Sequence, residues 1–191
     1  MNDKPIFYDN DFLSCFLEIG EQELLFNLFS KIIIPSPVFQ ELTRKKSPLS
    51  VKNNLKKLIN QGKVEIKDLE FSSEEYIKYL CIHKGFWTDN KPIGMGESAV
   101  LALAIVNEGI VASNNISDIF EICDDFDVPI LTVPLILSKL YESNYISMEK
   151  AEELWIKMLK IQRILPKNSF AKYYEKLYKK DVVSLLKNYE L

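Results

Sequence analysis

Short apolar runs alternate with longer helical patterns through the first 140 residues of the chain. Ile6, Phe7 and Tyr8 form an apolar run that ends at Asp9, which predicts a short strand. The β-branched run at residues 32–34 is too short for a buried helix but suits a buried parallel strand. Strands are predicted at residues 6–8, 32–34, 64–66, 110–112 and 128–133.

Helical patterns fill the intervals between these strands. The segment from Glu97 to Asn107 is apolar on nearly every side, so we expect it to be buried between other layers. Strands and helices that alternate at this spacing indicate βαβ units and a mainly parallel sheet. Helices are predicted after Asp11, after Gly20, from Ser36 and Pro37 onward, and over residues 51–59, 72–83, 97–107 and 117–122.

The pattern is helical from Pro134 to the end of the chain, over residues 134–143, 147–161 and 169–188. The sequence therefore predicts an α/β fold in three layers, with a mainly parallel central sheet flanked by helices and with further helices at the C-terminus. We expect residues 1–140 to form the main domain. Residues 141–191 are expected to form a helical extension that packs on this domain or extends from it.

Composition narrows the class of protein further. A hydrophobic content of 47% in 191 residues is enough for one substantial core, which argues against disorder. No stretch approaches the roughly 18 apolar residues of a membrane span, and the start lacks the pattern of a signal peptide. We therefore expect a cytoplasmic protein. The three cysteines are far apart, which indicates neither a disulfide framework nor a zinc pair.

His83 is the only histidine, and this restricts the chemistry. An HExxH zinc site needs two histidines, and a Ser-His or Cys-His nucleophile would have to use this one. His83 lies at the end of a predicted helix, where a capping or dipole role is the more common explanation.

The net charge of −3 conceals an uneven distribution. Residues 1–140 carry 14 basic and 20 acidic side chains, whereas residues 141–191 carry 10 and 7. Two segments, residues 44–67 and 160–180, are strongly basic and contain one acidic residue each. These segments are either grips for phosphate groups beside an acidic site or ordinary solvated helix faces.

Acidic side chains follow the predicted strands or begin the helices beside them. Asp9 ends the first strand, Glu41 lies on the helix after the second, and Glu97 begins the buried helix. Asn115 and Asp118 follow a later strand. Groups at the carboxyl ends of parallel strands converge on one crevice, so we expect these side chains to meet. Carboxylates without histidine suit Mg²⁺ or Mn²⁺, which can activate water for phosphodiester hydrolysis.

Each of these acids taken alone also has a structural explanation. Asp9 or Asp11 can cap a helix, and Asp118 can cap another together with Ser117. Glu97 can be a favourable first-turn acid, and Glu41 an ordinary surface residue.

The ordered set of motifs resembles the PIN-domain family over about residues 5–140. The segment Tyr8-Asp9-Asn10-Asp11-Phe12-Leu13 resembles the opening strand and turn of that family. The segment Pro37-Val38-Phe39-Gln40-Glu41-Leu42 is similar to its proline-led helix with the second acid. The most specific match is Gly94-Met95-Gly96-Glu97-Ser98-Ala99-Val100, which resembles the Gly-x-Gly-Glu helix of one bacterial and archaeal branch that includes VapC-like toxins.

This resemblance implies that Asp9, Glu41 and Glu97 are catalytic metal ligands for Mg²⁺ or Mn²⁺. The branch usually has two aspartates after the fourth strand, where this chain has Asn114 and Asn115. Other PIN proteins carry an Asn-x-x-Asp-Phe pattern, which residues 115–119 resemble. On that basis Asp118 is expected to complete the acidic site, with Asn115 as a neutral ligand.

PIN proteins are mostly ribonucleases, and many are toxins paired with an antitoxin. The resemblance therefore implies a metal-dependent ribonuclease that acts on single-stranded or structured RNA, with an antitoxin protein as a partner and room for a homodimer. Two alternatives stay open at this point. One is a catalytically weak module that binds nucleic acid or protein, suggested by Asn114, Asn115 and the long helical tail. The aromatic stripe of this tail, around Trp155 and Tyr173, is interpreted as core or partner surface in preference to a base-stacking platform. The other is a structure-selective DNA nuclease.

Overall fold

The computed structural model describes residues 4–87 and 91–178. Within these residues, five short strands form one sheet in which every pairing is parallel. The prediction of a mainly parallel sheet is confirmed. The strands are β1 (Ile6–Tyr8), β2 (Ile32–Pro35), β3 (Val64–Lys67), β4 (Ile110–Ala112) and β5 (Ile130–Leu131).

The strand order is β3-β2-β1-β4-β5, so the chain moves outward in one direction from β1 and then in the other. The register pairs Phe7 of β1 with Ile33 of β2 on one side and with Val111 of β4 on the other. A reversal of strand order opens a crevice at the carboxyl ends of the two strands that flank it. In this fold that crevice lies beyond Tyr8 and Ala112.

Helices cover the sheet, and nine α-helices fall within the described residues. None of them is both long and apolar enough to cross a membrane. The helices are α1 (Asn10–Ile19), α2 (Ser36–Thr43), α3 (Leu49–Asn60), α4 (Glu74–His83), α5 (Met95–Val106), α6 (Ile116–Asp125), α7 (Val133–Glu142), α8 (Met148–Lys160) and α9 (Phe170–Tyr178).

Two elements differ from the sequence prediction. The segment after Gly20 is a 3₁₀ helix, Gln22–Asn27, in which amides bond to carbonyls three residues back, from Leu24 to Glu21 and from Leu28 to Leu25. The leucine spacing fits both helix types, so the sequence pattern did not distinguish them. The strand predicted at residues 128–133 is only two residues long. Pro129 has no amide hydrogen, and Thr132 already caps α7 by accepting a bond from the Leu135 amide. The part of the last predicted helix beyond residue 178 lies outside the described residues.

The predicted burial of α5 is confirmed. All residues from Ser98 to Ala104 are buried, and this helix packs against both α4 and α2. Small side chains on several faces let the neighbouring layers approach closely, which a single-faced amphipathic helix does not permit.

The C-terminal helices share the core of the sheet domain. Trp155 of α8 and Phe170 of α9 are fully buried and belong to the same apolar cluster as Phe7 and Tyr8. The Trp155 indole donates a hydrogen bond of 2.8 Å to the Asn168 carbonyl. Of the aromatic stripe predicted in this region, Trp155 is therefore core, and Tyr173 packs against the core while half-buried.

Arg163 connects the segment after α8 to the first helix. Its Nη1 lies 3.2 Å from Asp11 Oδ1, and its Nη2 donates to Glu18. The arginine side chain is only 19% exposed, so this pairing is better shielded from solvent than an ordinary surface ion pair.

We expect Arg163→Ala to lower the free energy of unfolding by about 1–3 kcal/mol, because two half-buried carboxylates lose a charged donor. Urea denaturation measures this change. Arg163→Lys should recover only part of the loss, since an ammonium cannot bond both acids as a guanidinium fork does. Lys160→Ala, at an exposed position nearby, is the control and should stay within about 0.5 kcal/mol of the original protein. If Arg163→Ala leaves the free energy of unfolding unchanged, this role of Arg163 is wrong.

Candidate active site at the centre of the sheet

Asp9 lies where β1 ends, directly in the crevice between β1 and β4. Its backbone amide donates to the Ala112 carbonyl at 3.0 Å, which continues the pairing of the two strands by one bond. Its carboxylate caps α1 by accepting from the Phe12 amide at 2.6 Å, and it also accepts from the Ser113 hydroxyl. The residue is 2% exposed. The carboxylate is thus fixed from two sides.

Burial raises the pKa of Asp9 from its ordinary value of 3.8 to about 7. The hydrogen bonds from Ser113 and Phe12 oppose that rise, and the nearby carboxylates of Asp11 and Glu97 add to it. Negative charge is therefore costly at this position unless a cation shares the crevice.

Glu41 reaches the same region from α2. Its Oε1 accepts a hydrogen bond of 3.1 Å from the Gly96 amide at the start of α5. Burial raises the pKa of Glu41, while the Gly96 amide and the Arg44 guanidinium lower it and the Glu97 carboxylate raises it. A further hydrogen bond comes from the Asn10 side chain. Electrostatic contact thus links Glu41 to Glu97 and, through Glu97, to Asp9.

The glycines of the Gly-x-Gly-Glu segment make room for two carboxylates. A Cβ atom on Gly96 would lie 2.8 Å from both carboxylate oxygens of Glu41. A Cβ atom on Gly94 would lie 2.9 Å from Glu97 Oε2. Because real Cβ contacts are never this short, each glycine leaves the space that one acid occupies. The spacing of this motif is therefore explained by the packing of side chains on either side of the α5 N-terminus.

Asn115 lies between Glu97 and Asp118. Its amide nitrogen donates to Glu97 Oε1 at 2.6 Å and to Asp118 Oδ2 at 2.8 Å. Asn115 is also the N-cap residue of α6, so the prediction that Ser117 and Asp118 cap this helix was wrong. Asp118 lies one turn further along, exposed to solvent, and its connection to Glu97 runs through the Asn115 amide.

Two neighbouring polar residues show which side chains support the acids. Ser113 is buried, donates to Asp9, and accepts from the backbone amide of Asn115 at 3.1 Å, so it joins both sides of the crevice. Sequence reasoning missed it, although its position directly after β4 was a signal. Asn114 is buried in a structural role, because it accepts from the Val133 amide at 2.9 Å and donates to Cys15 Sγ.

His83 has a structural role outside this group of acids. It is the last residue of α4, as expected, and its ring stacks parallel to Tyr79 with centroids 5.7 Å apart. Its Nδ1 lies 2.8 Å from the Ile93 carbonyl oxygen. The ring therefore secures the segment that leads into Gly94.

The donor chemistry of the crevice fits a hard divalent cation. The contributing atoms are carboxylate oxygens, the glycines provide space for Glu41 and Glu97, and Asp9 is buried with like charges near it. In the described ranges, no group of three or more His, Cys, Asp or Glu side chains lies close enough together to hold a metal ion. The residues suit a metal by type, and which of them bind it is a proposal.

These features define a class of protein: an α/β fold with an acidic crevice at the switch point of a parallel sheet. A family profile described as a PIN domain matches residues 6–179. This match covers most of the chain, which therefore belongs to the PIN-domain family, a family of nucleases. It also includes α8 and α9, which lie beyond the 140 residues in which the sequence motifs occur.

Several solved structures are similar to this chain at low sequence identity. DNA-bound VapBC from Salmonella typhimurium has a TM-score of 0.52 and 18% identity, over 68% of this chain and 98% of the other. FitAcB from Neisseria gonorrhoeae has a TM-score of 0.45 and 19% identity, over 66% and 96%. VapBC2 from Rickettsia felis, bound to a fragment of promoter DNA, has a TM-score of 0.42 and 20% identity, over 67% and 98%. Among curated protein sequences, none matches.

The raised pKa of Asp9 makes a prediction for the metal-free protein. A group whose pKa rises on folding stabilises the fold fully below its unfolded pKa, and this contribution disappears as the pH rises through about 7. In EDTA, the melting temperature should therefore be lower at about pH 8 than at about pH 5. Asp9→Asn should reduce that difference, since an amide keeps the Phe12 bond without ionising.

Asp124→Asn, which removes an exposed acid on α6, is the control for the loss of one charge. It should leave the pH dependence of the melting temperature as it is in the original protein. An Asp9→Asn variant with that same dependence would show that Asp9 titrates normally.

Proposed function

We propose that this protein is a divalent-metal-dependent phosphodiester hydrolase, and specifically a ribonuclease that uses Mg²⁺ or Mn²⁺. The observation that carries the proposal is the position of Asp9, Glu41 and Glu97 around one crevice. Gly96 leaves space there for the Glu41 carboxylate, and Gly94 leaves space for the Glu97 carboxylate. Membership of a nuclease family supports the reaction class. In this proposal Asp118 and Asn115 complete the site.

Each residue has a separate task in this proposal. Asp9 is held rigidly by Ser113 and the α1 N-terminus, so it defines the position of the site. Glu41 is oriented by the Gly96 amide and Glu97 by the Asn115 amide. A divalent cation bound by these acids would supply Lewis-acid activation of water and of the phosphate group. His83, whose ring bonds to the Ile93 carbonyl and stacks on Tyr79, is not assigned a role as a general base in this proposal.

RNA as the substrate and an antitoxin as the partner rest on the resemblance to VapC-like proteins. The DNA-bound VapBC from Salmonella typhimurium is similar in fold to this chain. We propose that this chain likewise pairs with an antitoxin protein, forms a homodimer, and acts in the cytoplasm.

The purified protein is expected to cleave single-stranded RNA with Mn²⁺ or Mg²⁺ and to lose this activity in EDTA. The products should carry 5′-phosphate and 3′-hydroxyl ends, because activated water rather than a ribose hydroxyl attacks. The double variant Asp9→Asn, Glu97→Gln should lower the rate by more than about a hundredfold, the scale of losing preorganised electrostatic groups. Gel analysis of labelled oligonucleotides measures both results.

The matched control is the double variant Asp124→Asn, Asp125→Asn, which removes two exposed acids of α6. It should cleave like the original protein. Undiminished cleavage by the Asp9 and Glu97 variant would disprove the proposed site. Cleavage of branched or single-stranded DNA in preference to RNA would instead identify a DNA nuclease with the same metal chemistry.

Gly96→Ala tests the space around Glu41 directly. Alanine is favoured over glycine in helices by up to about 1 kcal/mol, and Glu41 is flexible enough to move, so the fold should remain as stable or gain slightly. The displaced carboxylate should nevertheless lower Mn²⁺ affinity or activity by about 10–100-fold. Thermal denaturation with and without Mn²⁺, together with the cleavage assay, measures the two effects separately.

Gly109→Ala is the opposite case and serves as the control. There a Cβ atom would lie 2.7 Å from the Phe7 ring and from the Pro5 carbonyl oxygen, which cannot move aside cheaply. This variant should lose stability and keep its activity per folded molecule. A Gly96→Ala variant that keeps full activity and Mn²⁺ affinity would show that the Glu41 position is unimportant for the reaction.

A catalytically weak binding module is the second candidate function. The bonds of Asn115 to both Glu97 and Asp118 favour it, since a neutral amide here stands where the related branch carries an acid. This second function also agrees with the spacing of the acids, because no three such side chains in the described part of the chain lie close enough together to hold a metal ion. If millimolar Mn²⁺ leaves the melting temperature unchanged, this second function replaces the first.

A further inference from the structure

A basic turn, formed by Arg44, Lys45 and Lys46, directly follows the helix that carries Glu41. All three side chains are exposed. No acidic residue occurs between Glu41 and Glu65. The turn therefore has no acidic neighbour on its C-terminal side along the chain.

The turn is fixed in position relative to Glu41. The Ser47 amide donates to the Arg44 carbonyl at 3.0 Å, which closes the turn around the two lysines. The Ser47 hydroxyl donates to the Glu41 carbonyl at 2.7 Å, which ties the far end of the turn back to α2. The three cations are thus held within one short stretch of backbone that is anchored at the residue we assign to the site.

The three basic side chains of the turn form no salt bridge with an acidic side chain in the described part of the structure. None of the salt bridges found among residues 4–87 and 91–178 involves Arg44, Lys45 or Lys46. Arg44 does act on Glu41, since its guanidinium lowers the pKa of that carboxyl group. The basic turn is therefore electrostatically close to the acidic crevice.

Several other cations of the two basic segments are engaged elsewhere. Lys57 and Lys63 both pair with Glu23, at 3.4 Å and 2.6 Å. In the C-terminal segment, Arg163 pairs with Asp11 and Glu18. An acidic crevice repels phosphate groups, so a nucleic-acid strand needs fixed positive charge beside it, and the basic turn offers this charge.

We infer that the basic turn binds the phosphodiester backbone of a single-stranded nucleic acid and holds it beside the acidic crevice at Glu41. This inference rests on the proposed hydrolase function, and it names the surface by which the substrate is held. The recognised chemistry is a run of phosphate groups, which RNA and DNA share. Contacts to phosphates position a strand without reading its sequence.

The test measures binding without cleavage. A fluorescent oligouridylate and the matching oligothymidylate are titrated with the full-length protein in EDTA, over a series of salt concentrations. Anisotropy gives the dissociation constant at each salt concentration. Each phosphate contact to a single strand contributes about 0.7 to the slope of log affinity against log salt.

The triple variant Arg44→Ala, Lys45→Ala, Lys46→Ala should weaken binding at low salt and reduce that slope by about 2. The control is the triple variant Lys31→Ala, Lys57→Ala, Lys63→Ala, which removes the same net charge. Lys31 and Lys63 precede β2 and β3, so they lie at the edge of the sheet opposite the crevice. The control should keep nearly the original slope.

Equal slopes for the two triple variants would overturn the inference, because net charge alone would then explain the binding. Absence of binding by the original protein at low salt would also overturn it. Neither result depends on hydrolysis, which the cleavage assay decides independently. An effect on the RNA and DNA strands alike supports backbone recognition, and an effect on only one would contradict it. Circular dichroism of each variant verifies that it is folded.

Discussion

The Asp9 carboxyl group lies where the central strand ends, and it bonds to both elements that meet there. It caps α1 through the Phe12 amide and accepts a bond from Ser113, which follows β4. Burying a carboxylate is costly, and these bonds offset part of that cost. The same group therefore organises the crevice and carries the charge that makes the crevice chemically useful. Removing it would disturb the join between β1 and β4 as well as the site.

The remaining acids are positioned from elements distant in sequence. Glu41 meets the amide of Gly96, 55 residues later, because α2 and α5 cross at the start of α5. The glycines at this crossing let the acids approach the backbone, because the absence of a Cβ atom leaves the volume that the acidic side chains occupy. A helix that begins at such a crossing also presents unpaired amides, which favour nearby negative charge.

The sequence was sufficient to predict the parallel sheet, the buried α5 helix and the strand-end position of Asp9, because each depends on a local run of residues. It was not sufficient for contacts that depend on how helices pack. The bond from Arg163 to Asp11 joins residues 152 positions apart, and nothing in the local pattern around Arg163 indicates it. The bond from Ser113 to Asp9 and the bond from Asn115 to Glu97 likewise join residues 104 and 18 positions apart. Periodicity predicted the 3₁₀ segment as a helix, but it could not distinguish the type.

Charge balance explains how so many acids can lie near each other in one fold. Asp9 lies at the N-terminus of α1, Glu97 in the first turn of α5 and Asp118 in the first turn of α6. The N-terminal end of a helix carries partial positive charge, so each acid lies where a helix stabilises it. Asn115 bonds two of these acids without adding charge. Helix termini and amides thus offset part of the repulsion between these acids and leave negative charge in the crevice that would attract a cation.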